Sequence, residues 1–558
     1  MKETKINQVK KKLSRYQEVV YRNHCLKWSK NKLTKNKLNV RFNGLFYRFE
    51  QLEEVWKPVT NFQSCPVQLI NDPKETYDLC ITHLYNQHLK NDGFYLKVTN
   101  DNQLTIESAN LRGFQYAMEA LLESFFSVGD QLLLPELILK HEPSVKIRGI
   151  IEGFYGIPWT HEMRLSLFSY MKDNQLNTFM YAPKDDELLR KKWRELYDAQ
   201  ELDKFKELLS AAEASNIDFW YLISPGNDID ITCEEDIQVL LKKLEQLIEL
   251  GVFQFGLLMD DIDYQLKGAA KRRFREPAFA HAYLVNRVEE YLSTRLSNHE
   301  LVICPTEYDN RHGSRYLATL SQEIPEQLPF FWTGPSTLAA SISTEELQEM
   351  ASVYQRPMLI WDNIPVNDYL EDKELLFMSP YENRTPNLSK ERYQVTGVVS
   401  NPMAQLEASK FTINSMANYL WNCERFDPLE TWTSVVEKVV GSKLQPAYLT
   451  LTNAFPNHYT SSLLSDEELL LAKDPEWVTK EMAALVQAVK WIQQEQHTSR
   501  LRTELEPWLQ AITESWTFWQ EWQLKKDPKE AEEWLAKKKT HRIGRDLVTA
   551  HLEQIIKS

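Results

Sequence analysis

FQFGLLMDDID, residues 253–263, is an apolar run of strand length that ends in two adjacent carboxylates, Asp260 and Asp261, with a third at Asp263. A buried strand needs its apolar residues for packing and gains nothing structural from acids at its carboxyl end. Capping the next turn or helix is the purely structural use of such a pair. The pair does not stand alone, however. Seven other strand candidates stop at polar or aromatic groups: IRGIIEGF (147–154), NTFMYAP (177–183), IDFWYLISPG (217–226), LVICPTEY (301–308), FFWTG (330–334), MLIWDN (358–363) and VTGVVSNP (395–402). Several of the gaps between them hold amphipathic stretches such as DKFKELLSAAEAS and EEDIQVLLKKLEQLIEL, with apolar residues at helical spacing. Eight strands alternating with helices predict an α/β fold of the (β/α)8, TIM-barrel type. In such barrels the carboxyl ends of the strands build the active site. Glu152 and Gly153, Lys184 and Asp185, Asp260 and Asp261, Tyr308, Trp332, Trp361, Asn363 and Asn401 therefore form one set of candidates.

The rest of the chain bounds this reading. Its 558 residues, 43% hydrophobic and 26% charged, have ordinary globular composition. No run of 18 apolar residues predicts a membrane span, and the amino terminus lacks an apolar signal core. Six scattered cysteines without metal or disulfide spacing fit a reducing cytoplasm. A formal charge of −14 argues against nucleic acid as the main partner. That charge is unevenly spread. Residues 1–41 hold 13 Lys and Arg against 2 acids, a formal +11, so the remainder carries 52 basic and 77 acidic residues, a formal −25.

The expected organisation is therefore a basic leader over 1–41, read as a solvated helix or frayed arm, and a small α+β domain over 42–145. The catalytic barrel follows over 146–430 and a helical domain over 431–558. The α+β unit is signalled by GFYLKVT (93–99), QLTIESA (103–109) and a helix with Leu111, Phe114, Met118, Leu121, Leu122 and Phe125 on one face. In the last region, which holds eight of the 16 tryptophans, Trp516, Trp519 and Trp522 recur every three residues and read as a bundle core.

Two carboxylates as close as Asp260 and Asp261 cannot both ionise freely, so one is expected to have a raised pKa and to serve as a proton donor. Acid catalysis beside a charged neighbour suggests glycoside hydrolysis. Adjacent residues on one strand end, however, are poorly placed to flank a sugar as retaining glycosidases require. A 2-acetamido sugar removes the difficulty because its own carbonyl oxygen can attack the anomeric carbon.

IEGFYGIPWTHEMR (151–164), NTFMYAPKDD (177–186), LISPGNDI (222–229), GLLMDDID (256–263), CPTEY (304–308), WTGP (332–335), WDNIPVNDY (361–369) and SNP (400–402) resemble, in order and over the whole barrel, the family 84 glycoside hydrolases. These are β-N-acetylglucosaminidases that include protein O-GlcNAcases and bacterial homologues, and a bacterial homologue is the expectation. The resemblance implies a retaining exo-β-N-acetylglucosaminidase that works through an oxazoline. In it Asp260 would orient and polarise the acetamido group, and Asp261 would be general acid and then general base. Gly153 would let the backbone approach the sugar, Lys184 would bond its hydroxyls, Tyr308 would contact the acetamido group and Trp361 would wall the site. Asn363, Asp368 and Asn401 would bind the remaining hydroxyls and the leaving region. All these residues lie between 153 and 401, which would leave residues beyond about 440 outside the catalytic machinery. The implied partner is a GlcNAc-terminated glycan or glycoprotein, with no cofactor, metal, nucleic acid or membrane, in the cytoplasm.

Two other readings compete on the residues alone. Asp261-Ile262-Asp263 has the D-x-D form that holds a divalent cation in metal-dependent sugar-phosphate or nucleotide-sugar enzymes. The Trp-rich carboxyl region could instead make the chain a sugar-binding scaffold without turnover.

Overall fold

The computed structural model describes residues 2–29, 38–43, 67–70, 75–99, 101–129, 131–225, 228–263, 265–369, 375–457, 459–460, 464–495, 499–537 and 543–557. Residues 30–37 of the expected leader and Gly226 and Asn227 of the third strand's loop lie outside them. The chain divides into two compact units, one of residues 1–146 with 420–425, the other of residues 147–419 with 426–558.

The first unit is built on a mixed sheet. Its strands are β1 (Glu18–Ser29), β2 (Leu38–Asn43), β3 (Val67–Ile70), β4 (Leu79–Tyr85), β5 (Phe94–Val98), β6 (Gln103–Ser108), β7 (Phe126–Val128) and β8 (Gln131–His141). They run in the order β1-β8-β5-β6-β4-β2-β3, with β7 pairing β8. The helix Leu111–Ser124 starts where the Asn110 side chain accepts the Gly113 N–H at 2.9 Å. It buries Phe114, Met118 and Leu121, with Phe125 just beyond its end, on the face that the spacing predicts.

The described part of the expected leader is built into this unit. Residues 2–29 form the helix Lys2–Leu13 and the strand β1, which pairs antiparallel with β8. Val9, Leu13 and Tyr16 are buried in the unit's core while Lys10, Lys11 and Lys12 face solvent. Two apolar residues four apart give this helix a narrow inner face that the surrounding lysines hide in a count of charge. The proposed boundary at 41/42 falls inside β2.

In the second unit eight parallel strands close a barrel: β9 (Ile147–Glu152), β10 (Thr178–Tyr181), β11 (Asp218–Ile223), β12 (Gln254–Leu258), β13 (Glu300–Cys304), β14 (Phe330–Trp332), β15 (Met358–Asp362) and β16 (Val395–Ser400), with β16 pairing β9. Seven fall within a run named from the sequence, and β13 starts one residue before its run. Alternate residues point inward, so Ile147 and Ile151, Met180 and Ala182, Trp220 and Leu222, and Leu359 and Trp361 fill the interior. Helices such as Ala199–Ala214, opened by a capping box between Asp198 and Glu201, and Glu234–Glu249 connect the strands.

The helices after 426 group with the barrel in one compact unit, where a separate helical domain over 431–558 was expected. Their core is continuous with Leu375–Met378, Met403, Ala408 and Phe411 from the barrel's last connections. Trp519 and Trp522 are buried in it and Trp516 packs against it, as a bundle core requires. The two buried indoles donate to Thr479 Oγ1 at 2.9 Å and to the Asp527 carbonyl at 3.2 Å. No described helix is long and apolar enough to cross a membrane.

Candidate active site

At the carboxyl end of β12 the Met259 N–H donates to the Cys304 carbonyl (3.0 Å) and the Met259 carbonyl accepts from Thr306 Oγ1 (2.8 Å), which fixes the strand end against its neighbour. Asp260 follows and is only 5% exposed. Its Oδ2 forms an ion pair with Lys184 Nζ, whose ammonium also sits 5.3 Å from the Trp361 ring centroid. Its Oδ1 is buried and accepts no hydrogen bond from any described residue. A buried carboxylate oxygen without a donor is costly. This one belongs to a residue that lines a cavity.

Asp261 has φ +51°, the left-handed region, where an aspartate is among the better tolerated residues. Its carboxylate is exposed and accepts the Tyr155 hydroxyl at 2.7 Å on Oδ2 and the Tyr308 hydroxyl at 3.0 Å on Oδ1. Tyr155 in turn accepts from Arg190 at 3.0 Å.

A raised acid was expected at one of the two carboxyls, and these partners act against it at Asp261. Partial burial works to raise its pKa, but the Tyr155 hydrogen bond, the Lys184 charge, the Tyr308 hydrogen bond and the Arg190 charge together bring it below the ordinary value. The charge of Asp260, which was to repel a second ionised carboxyl, is neutralised by Lys184 instead. The Lys184 ammonium is disfavoured by burial, yet Asp260's charge and hydrogen bond leave its pKa above normal.

A cavity of about 420 Å³ opens over the pair, lined by Gly153, Lys184, Asp260, Asp261, Tyr308, Trp361, Asn363, Asp368 and Asn401 among others. All nine residues given site roles by the resemblance thus meet in one place, while Glu152, Asp185 and Trp332 of the strand-end set do not line it. A Cβ on Gly153 would lie 2.4 Å from Trp361 Cζ2, so glycine is required there to seat the indole, a different reason from the approach of backbone to sugar. The Gly153 N–H donates to Asn401 Oδ1 (3.2 Å), Asn401 Nδ2 to Asn363 Oδ1 (2.9 Å) and Asn363 Nδ2 to the Thr337 carbonyl (2.7 Å), a chain that orients both amides. Asp368 Oδ2 accepts the Tyr155 N–H at 2.8 Å, and burial raises its pKa.

The sequence profile of the β-N-acetylglucosaminidase family matches residues 148–453, more than half of the chain. The chain belongs to this family of glycoside hydrolases. It is similar to the Protein O-GlcNAcases of Mus musculus and Rattus norvegicus, 36% identical to each over 277 residues, 49% of this chain and 29% of theirs. The match thus spans less than a third of those curated relatives' length. A solved mutant of the O-GlcNAc hydrolase of Thermobaculum terrenum superposes with a TM-score of 0.68 at 28% identity, covering 74% of this chain and 95% of that one. The solved structure of CpGH84B shares the fold over 97% of this chain and 99% of its own, with a TM-score of 0.77 at 24% identity.

Within this family member the other strand-end candidates serve structure. Glu152 turns to Arg164, which donates two 2.7 Å hydrogen bonds to it, and accepts the Trp159 N–H, so it pins the loop that carries Gly153 and Tyr155. Asp185 accepts the Gly156 N–H at 2.7 Å, and the buried Trp332 donates to the Asn310 carbonyl at 3.0 Å. Asp263 is occupied by Lys267 Nζ at 2.6 Å and the Gln265 N–H at 3.0 Å, while Asp261 is held by tyrosines, so the D-x-D carboxylates do not converge on one centre. Among the described residues no group of three or more His, Cys, Asp or Glu could hold a metal ion.

Sequence reasoning missed Tyr155, Cys304, Thr333, Thr337, Leu338, Val366 and Tyr369, which also line the cavity. Tyr155 and Tyr369 stand inside the quoted motifs EGFYG and WDNIPVNDY, and their partial exposure, 41% and 36%, is the feature that distinguishes them from core tyrosines. Beyond residue 440 one side chain supports the cavity lining from outside. Tyr459 does not line the cavity, but its hydroxyl bonds the Asn363 carbonyl and its ring lies 6.1 Å from that of Tyr369.

Proposed function

We propose that the protein is a retaining exo-β-N-acetylglucosaminidase that removes β-linked GlcNAc from polypeptide by substrate-assisted catalysis. The observation that carries this reading is Asp260 itself: one oxygen is saturated by Lys184 and the other, buried, faces no donor. An acetamido N–H supplies that donor. As the substrate's carbonyl oxygen attacks the anomeric carbon, positive charge develops on the amide nitrogen, and the preorganised Asp260 carboxylate stabilises it. The bond to the leaving oxygen breaks while Asp261 gives that oxygen a proton. Asp261 then takes a proton from water, which attacks the anomeric carbon of the oxazoline, reopens the acetamide and returns the β configuration.

In the free protein Asp261 is held ionised by its tyrosine partners and nearby cations. The acid step therefore requires the bound sugar to exclude water from the carboxyl and raise its pKa. Trp361, set against Gly153, offers a flat wall for the sugar ring. Asp368 and the Asn363–Asn401 pair offer acceptors and donors for its hydroxyls. The Protein O-GlcNAcase relatives support polypeptide as the aglycone.

The test is the leaving-group dependence of two variants. Asp261→Asn should slow glycosides with poor leaving groups by about 10²–10⁴-fold and spare activated aryl glycosides much more. Asp260→Asn should slow both kinds alike, because acetamido participation is needed whatever leaves. Equal dependence in the two variants refutes the assignment, as does an α anomer as the first product seen by proton NMR.

A further inference from the structure

The loop that follows the catalytic strand carries charge that the chemistry does not use. Residues 264–275, YQLKGAAKRRFR, hold five cations, Lys267, Lys271, Arg272, Arg273 and Arg275, and no acid, in a chain whose formal charge is −14. All five are exposed, and the short helix Gly268–Phe274 buries none of its residues. A helix of that length without a packed face gains little stability on its own. Lys267 pairs with Asp263, and Arg273 lies over the rings of Phe274 (4.9 Å) and Tyr283 (4.5 Å). Among the described residues, Lys271, Arg272 and Arg275 form no ion pair.

The next connection, PTEYDNRHGSR over 305–315, is formally neutral, with Glu307 and Asp309 beside Arg311 and Arg315. After β13, Arg311 is exposed, and Arg315, its side chain 81% exposed, reaches Glu276 at 2.5 Å and ties the two loops together. Both loops leave the carboxyl ends of β12 and β13, the end at which Asp260, Asp261 and Tyr308 line the cavity. Lys267 is bonded to Asp263, two residues from Asp261.

Most charge runs are solvated faces. Three features separate this one: it leaves the catalytic end of the barrel, three of its five cations, Lys271, Arg272 and Arg275, form no ion pair among the described residues, and its sign is opposite to that of the chain. A net-negative protein repels an acidic substrate at long range. A local basic rim reverses that within roughly a Debye length, about 10 Å at 0.1 M salt.

We propose that this rim docks an acidic stretch of the polypeptide that carries the GlcNAc, which rests on the polypeptide reading of the cavity given above. The same end also presents apolar groups: Tyr155 (41% exposed), Tyr369 (36%) and, two residues from Tyr155, Ile157 (86%). Isoleucine offers a sugar chain neither a stacking face nor a hydrogen bond. It does offer a contact to an apolar peptide side chain. Basic and apolar groups side by side therefore favour a peptide with acidic and apolar residues over a polyanionic glycan.

The experiment compares two synthetic glycopeptides that carry one β-GlcNAc on the same sequence, flanked in one by Asp and Glu and in the other by Asn and Gln. An aryl-GlcNAc and a GlcNAc-terminated hyaluronan oligosaccharide accompany them. The native enzyme is expected to favour the acidic glycopeptide in kcat/KM by about tenfold at low salt, and to lose the preference as salt screens it. Lys271→Ala/Arg272→Ala/Arg275→Ala, all at exposed positions, should bring the acidic glycopeptide to the level of the neutral one. Turnover of the aryl-GlcNAc should stay within about twofold. Equal kcat/KM on the two glycopeptides, a preference that survives in the triple variant, or rim dependence confined to the hyaluronan oligosaccharide overturns the proposal. Failure of both glycopeptides beside a good aryl substrate overturns the polypeptide reading itself.

Discussion

Replacing Lys184 by methionine tests whether the Lys184–Asp260 pair is one electrostatic unit. The two side chains are 4% and 6% exposed, so neither can exchange its partner for water without the barrel opening. Removing the cation leaves a buried carboxylate uncompensated, a change that costs about 3–5 kcal/mol. Against a typical stability of about 5–15 kcal/mol this should be plain in urea unfolding followed by tryptophan fluorescence. Asp260→Asn alone should also be destabilising, because it strands the ammonium. Combined with Lys184→Met it removes both charges and keeps the shape, so the double variant should be more stable than either single one, with a coupling of about 2–3 kcal/mol. Activity should follow a different rule: all three variants should lose turnover of aryl-GlcNAc, because none presents a fixed carboxylate to the acetamido N–H. Additive losses, or a Lys184→Met variant within about 1 kcal/mol of native, would refute the buried-pair account. Recovery of turnover in the double variant would refute the role given to Asp260.

Two further outcomes follow from groups around the site. Tyr155→Phe removes the 2.7 Å donor to Asp261, so the Asp261 pKa should rise; the alkaline limb of kcat/KM on a poor-leaving-group substrate should move up accordingly, and an unmoved limb denies Tyr155 this part. Glu504, from the helix Arg500–Lys525, accepts the N–H groups of Ala408 (2.7 Å) and Glu407 (3.2 Å) at the start of the helix after Asn401, and burial, only partly offset by those bonds, raises its pKa to about 7. The fold favours its protonated form, so its stabilising contribution is full below the unfolded value of 4.5 and is lost as pH rises through about 7. Glu504→Gln should flatten that dependence and gain about 2 kcal/mol relative to native at pH 8, read from denaturant midpoints at several pH values; parallel curves for the two proteins would deny it.

The barrel was legible because strands buried on both faces read as continuous apolar runs, and the cavity was legible because all nine marked residues sit at the ends of those runs or just beyond. What escaped has a common cause in distance along the chain. Tyr155 and Tyr308, which set the charge state of Asp261, lie 106 and 47 residues from it, so a like-charge argument confined to Asp260 and Asp261 missed both them and Lys184. Tyr459 reaches Asn363 from 96 residues away, and no local pattern announces it. The amino-terminal helix failed for a different reason. Its inner face is Val9 and Leu13 with the half-buried Ile6, and charge counting weighs lysines that packing ignores.

The backbone at Asp261 resolves the difficulty that adjacent carboxylates posed. In an extended strand, successive side chains point to opposite faces, and Asp261 would be turned away from the barrel interior that Asp260 shares with Lys184. At φ +51° the chain leaves the strand at the second aspartate, and both carboxylates line the same cavity, one buried and one exposed. Holding a non-glycine residue there costs about 1–3 kcal/mol, less for aspartate than for a β-branched residue. The bonds from Tyr155 and Tyr308 and the anchored Met259 hold the turn in place. Two neighbouring residues thus divide the labour by depth. In the proposed mechanism the buried carboxylate would meet the acetamido group, and the exposed one would stay at the mouth, where the leaving group departs and water arrives.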